Sequence, residues 1–298
     1  MLTRKKQKIL LIGASGFTGG RVLKALSERN DVDVTCFLRK TSKKPEVSEG
    51  FYKTAYGNLD DIESLEAAMT GQDGVIYVAS LGFGHAEGVL KACEKSNIQK
   101  AVFTSTTALL TQLNAPSKKV RKVAEKGIQN SKIPNWVIIR PTMIYGLKGD
   151  RNMERLVNYV RKFPFLFVPG TSKALQQPNH VDDVASALVN AYFSANAHNK
   201  IYNISGEKPL TFKEVVETVC EVTNQKVKII HLPLKPLLFI LRIIEKVLKN
   251  PRIKAEQLLR LNENKNFSHD EAKKDFDYQP ISFKKGIEIL YNSLESEK

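Results

Sequence analysis

Short apolar runs alternate with amphipathic segments through the N-terminal half of the chain. The apolar runs predict strands, and the segments between them have the spacing of one-sided helices. The predicted strands are Lys8 to Ile12, Val32 to Leu38, Phe51 to Tyr56, Gly74 to Val78, Lys100 to Thr104 and Trp136 to Ile139. The predicted helices span residues 17–28, 60–69, 84–95 and 117–131. This order predicts an α/β fold with a doubly wound parallel sheet that helices cover on both faces.

The alternation loosens after Arg140 and Pro141. Further helices are predicted near residues 150–162, 181–195, 211–223, 236–248, 253–262 and 282–294. Strand-like segments occur among them at Lys200 to Ile204 and Lys226 to His231. The C-terminal part is therefore expected to be a mixed α/β region.

A glycine-rich turn follows the first predicted strand directly and precedes the first predicted helix. Glycine permits the tight turn, the approach of a pyrophosphate to the backbone, and close packing of helix on strand. The helix N-terminus offers unpaired N–H groups to the phosphates. This context predicts a Rossmann-type dinucleotide site. Its predicted contacts are Gly13, Ser15, Gly16, Phe17, Thr18 and Gly19.

The end of the second predicted strand indicates which dinucleotide is preferred. An acidic residue there would bind the ribose hydroxyls of NAD, but the strand ends in Arg39 and Lys40. A guanidinium suits bidentate contact with a 2′-phosphate, so these residues favour NADP, with NAD as the alternative cofactor.

Composition narrows the class of protein. With 298 residues and 42% hydrophobic content, the chain can form a substantial core. Three cysteines lie far apart and lack the spacing of a zinc site or redox pair. We therefore expect no bound metal, and we expect a reducing, cytoplasmic location. The net charge of +15 suggests an anionic partner. Because no nucleic-acid-binding motif accompanies the scattered lysines, we expect no nucleic acid partner.

Several motifs resemble those of extended and atypical short-chain dehydrogenases/reductases, on the nucleotide-sugar epimerase/dehydratase branch. Beyond the glycine turn they occur in the family's order along nearly the whole chain. They are Gly57-Asn-Leu-Asp60, Asp73-Gly-Val-Ile-Tyr-Val-Ala-Ser80, Val102-Phe-Thr-Ser-Thr-Thr107, Trp136-Val-Ile-Ile-Arg-Pro-Thr-Met-Ile-Tyr-Gly146 and Gln176-Gln-Pro-Asn-His-Val-Asp-Asp-Val-Ala185.

The resemblance implies further contacts and a division of the chain. By analogy with the family, Asn58 and Leu59 contact adenine, and Ala79 and Ser80 lie beside the cofactor. Pro141 and Met143 belong to the loop that passes nicotinamide and substrate. Thr106 is expected to polarise a substrate carbonyl. Residues 1–145, with 178–204 returning, are expected to form the cofactor domain. Residues 146–298 would mainly cover a substrate that resembles a nucleotide-sugar. The family also implies a homodimer through helices 84–95 and 117–131.

The family's catalytic Tyr-x-x-x-Lys pair has no counterpart in the sequence. Alignment places Ser117 at the tyrosine and Arg121 at the lysine. A serine hydroxyl is a far weaker acid than a phenol, and arginine does not release its proton at accessible pH. Arg121 is therefore interpreted as a cofactor contact. Tyr145 is a candidate for proton transfer from elsewhere, while His180 is expected mainly to fix a loop to a helix N-terminus.

The apolar segment Leu237 to Leu248 is too short and too charged to span a bilayer. It is expected to form a core helix or a wall of the substrate cleft, with shallow membrane attachment or a partner surface as the alternative. Two functions remain open. One is an NADP-dependent epimerase, dehydratase or reductase acting on a nucleotide-linked sugar or related carbonyl compound. The other is a regulatory or assembly protein that binds NADP without catalysis.

Overall fold

A computed structural model describes residues 5–48, 50–113, 116–248 and 255–296. A central sheet of seven parallel strands has the order β3-β2-β1-β4-β5-β6-β11. Three two-stranded pairs, β7 with β10, β8 with β13 and β9 with β12, lie outside it. The strands are β1 (Gln7–Ile12), β2 (Val32–Leu38), β3 (Tyr52–Tyr56), β4 (Gly74–Tyr77), β5 (Lys100–Thr104), β6 (Asn135–Pro141), β7 (Ile144–Tyr145), β8 (Phe165–Pro169), β9 (Leu175–Gln176), β10 (Asn179–His180), β11 (Lys200–Ile204), β12 (Leu210–Thr211) and β13 (Lys228–Leu232).

Helices cover both faces of the sheet and build most of the C-terminal part. They are α1 (Phe17–Ser27), α2 (Ile62–Met69), α3 (Ala86–Lys95), α4 (Pro116–Gln129), α5 (Met153–Val160), α6 (Val181–Phe193), α7 (Phe212–Thr223), α8 (Leu234–Val247), α9 (Ala255–Leu261), α10 (Asp270–Phe276) and α11 (Phe283–Glu295). Among the described residues, no helix has the length and apolarity needed to cross a membrane. The predicted doubly wound α/β fold is confirmed.

Two hydrophobic layers sandwich the sheet. Helices α1, α6 and α10 cover one face, where Leu23 of α1 and Leu188 of α6 are fully buried. Helices α2, α3 and α4 cover the other, with Leu65 and Val89 buried. The inner strands β1, β4 and β5 are buried on both sides over most of their length, which is why their sequences contain continuous apolar runs.

The C-terminal part has its own core, formed by α5, α7 and α11. Between the helices of this part, the chain returns to the sheet: α6 packs on α1, and β11 pairs in parallel with β6. Among the described elements, α10, β8 and the two-residue strands β7, β9, β10 and β12 were not predicted. The short helix α10 buries only Ala272 and Phe276, and β8 exposes two of its phenylalanines, so neither has a distinct periodicity.

Helices α3 and α4, predicted to mediate dimerisation, pack side by side. They leave Val120 and Val123 of α4 exposed. Homodimer formation stays a prediction. On the inner side of α4, the buried Glu125 carboxylate accepts a hydrogen bond from Arg140 Nε at 2.9 Å and so fixes the helix to β6.

Asp183 gives the fold a defined pH dependence. The side chain is buried at the start of α6, where one carboxylate oxygen accepts a hydrogen bond from the Ile281 N–H at 3.1 Å. Burial raises the pKa of Asp183 to about 6. Because the folded-state pKa lies above the unfolded value, this group disfavours the folded state increasingly as pH rises from about 4 through 6.

We therefore expect Asp183→Asn, which keeps an acceptor oxygen, to be more stable than the parent at pH 8 by about 2 kcal/mol, with most of this gain lost at pH 4. Urea unfolding at both pH values measures the difference. Asp182→Asn is the matched control, because Asp182 forms an ion pair with Arg21 and its neutralisation should bring no gain. Equal stabilisation of Asp183→Asn at both pH values would contradict this account.

Candidate functional site

The turn between β1 and α1 lies where the sheet order reverses, next to the end of β4. Gly13 has a φ of +94°, and a Cβ on it would lie 3.0 Å from the Ala79 nitrogen. A Cβ on Gly19 would lie 1.9 Å from the Gly13 carbonyl oxygen. Both positions therefore require glycine. The crevice between the two strand ends is the place where parallel α/β sheets bind ligands.

The first turn of α1 is open to an anion. Its N-cap is Gly16, which has no side chain to cap the helix, and the first turn contains no carboxylate. Ser15 and Gly16 are exposed, while Phe17 and Thr18 are half-buried beside them. Unpaired N–H groups and the positive end of the helix dipole fit a pyrophosphate at this position.

The other predicted cofactor contacts lie along the same edge, because the carboxyl ends of parallel strands meet there. Arg39 and Lys40 follow β2 and are both exposed. Asn58 and Leu59 follow β3, where the Asn58 N–H donates to Ser64 Oγ at 3.2 Å. These positions fit the adenosine half of a dinucleotide. The individual contacts stay predictions.

The residues after β4 contact α4. Ser80 accepts a hydrogen bond from the Gly82 N–H at 3.2 Å, which fixes a 3₁₀ turn directly after Ala79. A Cβ on Gly82 would lie 3.2 Å from the Arg121 guanidinium. Arg121 also donates to Ser117 Oγ at 2.7 Å, so the two residues that align with the family's catalytic pair bind each other.

A cavity of about 670 Å³ opens beside the ends of β5 and β6. Thr106, Thr107, Thr142 and Met143 line it on the sheet side. Thr107 Oγ donates to the Pro141 carbonyl at 3.2 Å and so ties the two loops together. Thr106 Oγ accepts from the Ala108 N–H at 3.1 Å, which leaves its proton available for donation to a ligand.

A charged part of the cavity lining comes from α9 and the segment after it. It consists of Arg260, Glu263 and Lys265. Burial, and then the nearby Arg260 cation, lower the pKa of Lys265. Burial and Arg260 also lower the pKa of Arg121. The Arg260 cation thus disfavours the charged forms of both Lys265 and Arg121, while Glu263 favours that of Lys265, so an anion bound beside Arg260 would stabilise both cations.

Glu263 closes the cavity on one side. Its carboxylate accepts hydrogen bonds from Thr111 Oγ at 2.5 Å and from the Gln112 N–H at 2.8 Å. The segment after α9 is thereby held against the loop that follows β5. Much of the carboxylate's hydrogen-bonding capacity is used in this contact.

Tyr145, predicted to be catalytic, lies elsewhere. It is 1% exposed, within the core formed by α5, α7 and α11, and its hydroxyl donates to the Phe283 carbonyl at 3.3 Å. Burial raises the pKa of this phenol well above its ordinary value. Its location contradicts the prediction that it transfers a proton to a substrate.

The structural role expected for His180 is confirmed. Its ring is the N-cap of α6, where Nδ1 accepts a hydrogen bond from the Asp182 N–H at 3.3 Å. Sequence reasoning missed the cationic wall at Arg260 and Lys265. A single signal pointed to it, namely the polar stretch that follows the apolar segment ending at Leu248.

The comparisons with known proteins agree with this geometry. The family model described as NAD(P)H-binding matches residues 13–162, about half of the chain. The N-acetyl-alpha-D-glucosaminyl-diphospho-ditrans,octacis-undecaprenol 4-epimerase of Escherichia coli O157:H7 is 25% identical, covering 76% of this chain and 75% of that protein. Short-chain dehydrogenase/reductase family 42E member 1 of Bos taurus is 23% identical over 95% of this chain and 87% of that protein.

Among solved structures, the UDP-glucuronic acid 4-epimerase of Bacillus cereus in complex with UDP-glucuronic acid and NAD has the same fold. Its TM-score is 0.77 at 16% sequence identity, with 98% of this chain and 100% of that chain covered. The resemblance inferred from the motifs is thus confirmed. The chain belongs to the NAD(P)H-binding family.

Proposed function

We propose that the protein is an NADP-dependent oxidoreductase of the epimerase/dehydratase type that acts on a sugar linked through a diphosphate. The observation that carries this proposal is one cavity that Thr106 lines together with the Arg260 and Lys265 cations. It lies at the same sheet edge as the glycine turn, so an anionic carbonyl compound would have its reacting carbon near the cofactor crevice.

The bound nicotinamide supplies hydride acceptance and donation at the substrate carbon. The protein's own residues orient that carbon. Thr106 Oγ would donate a hydrogen bond to the substrate oxygen, since one of its lone pairs already accepts from the Ala108 N–H. Met143 and Thr142 cover the cavity from the β6 side and limit the access of water to the reacting atoms.

Arg260 and Lys265 bind the diphosphate. The Arg260 cation disfavours the charged form of Lys265 more than Glu263 favours it, and the negative charges of a diphosphate would favour it. The E. coli relative is named for a lipid-diphosphate-linked sugar, and the B. cereus structure contains a UDP-linked one. A diphosphate is common to both, so it is the substrate feature that we assign to the cationic wall.

The choice of NADP over NAD rests on Arg39 and Lys40. Both are exposed at the end of β2, where a ribose 2′-phosphate would lie. Arginine provides a planar pair of donors for the phosphate, and Lys40 adds a second positive charge. NAD remains the alternative cofactor.

A second candidate function is a regulatory or assembly protein that binds NADP without turnover. The contact between Arg121 and Ser117 supports it, because no phenol occupies the position of the family's proton donor. Turnover separates the two functions: the oxidoreductase converts a diphosphate-linked sugar, whereas the regulatory protein binds cofactor and leaves every such sugar unchanged.

For the cofactor, we expect NADPH to bind at least tenfold more tightly than NADH, and Arg39→Ala to remove this preference. Calorimetric titration of the cofactor-free parent and of the Arg39→Ala variant, each with NADPH and with NADH, measures the four affinities. The matched control is Lys132→Ala, an exposed cation in the loop before β6, at the opposite edge of the sheet. If Arg39→Ala keeps the parent's preference for NADPH, the 2′-phosphate assignment is wrong.

For the substrate, we expect Lys265→Met to raise KM at least tenfold, while Lys265→Arg stays close to the parent because it retains the charge. Product analysis by NMR would use UDP-glucuronic acid, UDP-N-acetylglucosamine and undecaprenyl-diphosphate-linked N-acetylglucosamine. Comparing the two UDP-linked sugars with the lipid-linked sugar shows whether the protein prefers a nucleotide carrier or a lipid carrier. Lys126→Met, an exposed lysine on α4, is the control. An unchanged KM in Lys265→Met would remove the diphosphate from the cationic wall.

For the chemical step, we expect Thr106→Val to lower kcat about 100-fold and Thr106→Ser to keep most of the activity, because a hydroxyl donor is retained. Single-turnover measurements of hydride transfer would separate chemistry from product release. Full activity of Thr106→Val would exclude Thr106 from the reaction. Absence of any turnover by the parent, together with tight NADPH binding, would favour the regulatory function.

A further inference from the structure

Helix α8 is apolar on two different faces. Its inner face packs on α9, where Leu241 contacts a small core with Ala255 and Leu258. The outer face consists of Phe239, Ile240, Ile243 and Val247, which are 67%, 51%, 47% and 76% exposed. We call these four residues the α8 outer face. At about 100° per residue they cover an arc of about 100° on the helix.

Exposed apolar side chains are concentrated in this region. Of the 15 exposed large hydrophobic residues in the described part of the chain, five fall between Phe239 and Leu248. Two others, Phe167 of β8 and Leu261 of α9, line one small cleft at the end of α9. A contiguous exposed apolar arc of this kind marks an interaction surface and not random surface exposure.

The charges next to the outer face indicate its partner. Lys235, Arg242 and Lys246 are all exposed and project within about 40° of one another, along one flank of the arc. Glu245, the helix's one carboxylate, points away and accepts a hydrogen bond from the Ala255 N–H at 2.8 Å. An apolar arc flanked by cations is complementary to a bilayer surface, where anionic headgroups lie next to the apolar acyl chains.

We infer that the α8 outer face docks on the surface of a bilayer that contains anionic phospholipids. The helix lies in the plane of the interface, with Phe239 and Val247 among the acyl chains and Arg242 and Lys246 at the phosphate groups. Its 14 residues extend about 21 Å, shorter than the hydrocarbon core of a bilayer, which is about 30 Å thick. Attachment is therefore peripheral.

Docking in this way has a consequence for the cavity. Helix α9 contacts α8 through Leu258 and lines the cavity through Gln257 and Arg260. The cationic wall is thus connected to the bilayer by a single helix, which suits a sugar diphosphate carried by a lipid. This consequence rests on the proposed function, whereas membrane docking does not.

The test is co-sedimentation of the full chain with vesicles, without cofactor or substrate, so its outcome is independent of turnover. We expect binding to vesicles of phosphatidylglycerol mixed with phosphatidylcholine, weaker binding to phosphatidylcholine alone, and weaker binding at high salt. Phe239→Ser/Val247→Ser should lower the vesicle partition coefficient at least tenfold. Arg242→Gln/Lys246→Gln should remove the preference for anionic vesicles.

The control is Phe83→Ser/Val123→Ser, which makes the same two changes at side chains that are 74% and 73% exposed elsewhere on the surface. It should bind vesicles as the parent does. Circular dichroism would verify that each variant is folded. The proposal is overturned if the parent binds neither kind of vesicle, or if Phe239→Ser/Val247→Ser binds like the parent. It is also overturned if ultracentrifugation shows a dimer that this variant dissociates while vesicle binding is absent.

Discussion

The close approach of backbone to backbone at the β1–α1 turn is the constraint on which the site depends. Gly13 lies against the end of β4, and Gly19 lies against the carbonyl of Gly13, with no room for a side chain at either position. This contact sets the distance of α1 from the sheet and exposes its uncapped N-terminus at the crevice. Helix α6 then packs along α1, and the Arg21–Asp182 ion pair joins the two helices.

Most of the sheet could be predicted because the residues that define each strand are adjacent in the sequence. The buried positions of each strand are apolar and lie within one short run of residues, so β2, β5 and β11 were predicted with their observed bounds. The glycine turn was readable for a similar reason, since both the strand before it and the helix after it are adjacent in sequence. Where neighbours in space are also neighbours in sequence, pattern and spacing suffice.

The cavity was less predictable because its walls come from distant segments. Thr106 could be identified from the fifth strand, but Arg260 and Lys265 follow it by more than 150 residues. Only the packing of α9 brings them into the same cavity. Tyr145 illustrates the reverse error: its motif is typical of a nicotinamide loop, yet its ring turns into the core and packs at 5.3 Å from the Phe283 ring.

The positive charge of the chain is found in two different surroundings in the folded protein, at the cavity and along α8. At the cavity, Arg260 and Lys265 lie on the same lining, and Arg260 disfavours the charged forms of both Lys265 and Arg121. Along α8 the cations are exposed and spaced along one flank, where repulsion is weak and screened by salt. Half-buried cations around one cavity suit the compact diphosphate that we propose as substrate, whereas an exposed row of cations suits the extended anionic surface that we propose for α8. Since α9 contacts α8 and also lines the cavity, the proposed docking of α8 on a bilayer would couple to the position of Arg260, and recognition of the proposed substrate would then depend on that attachment.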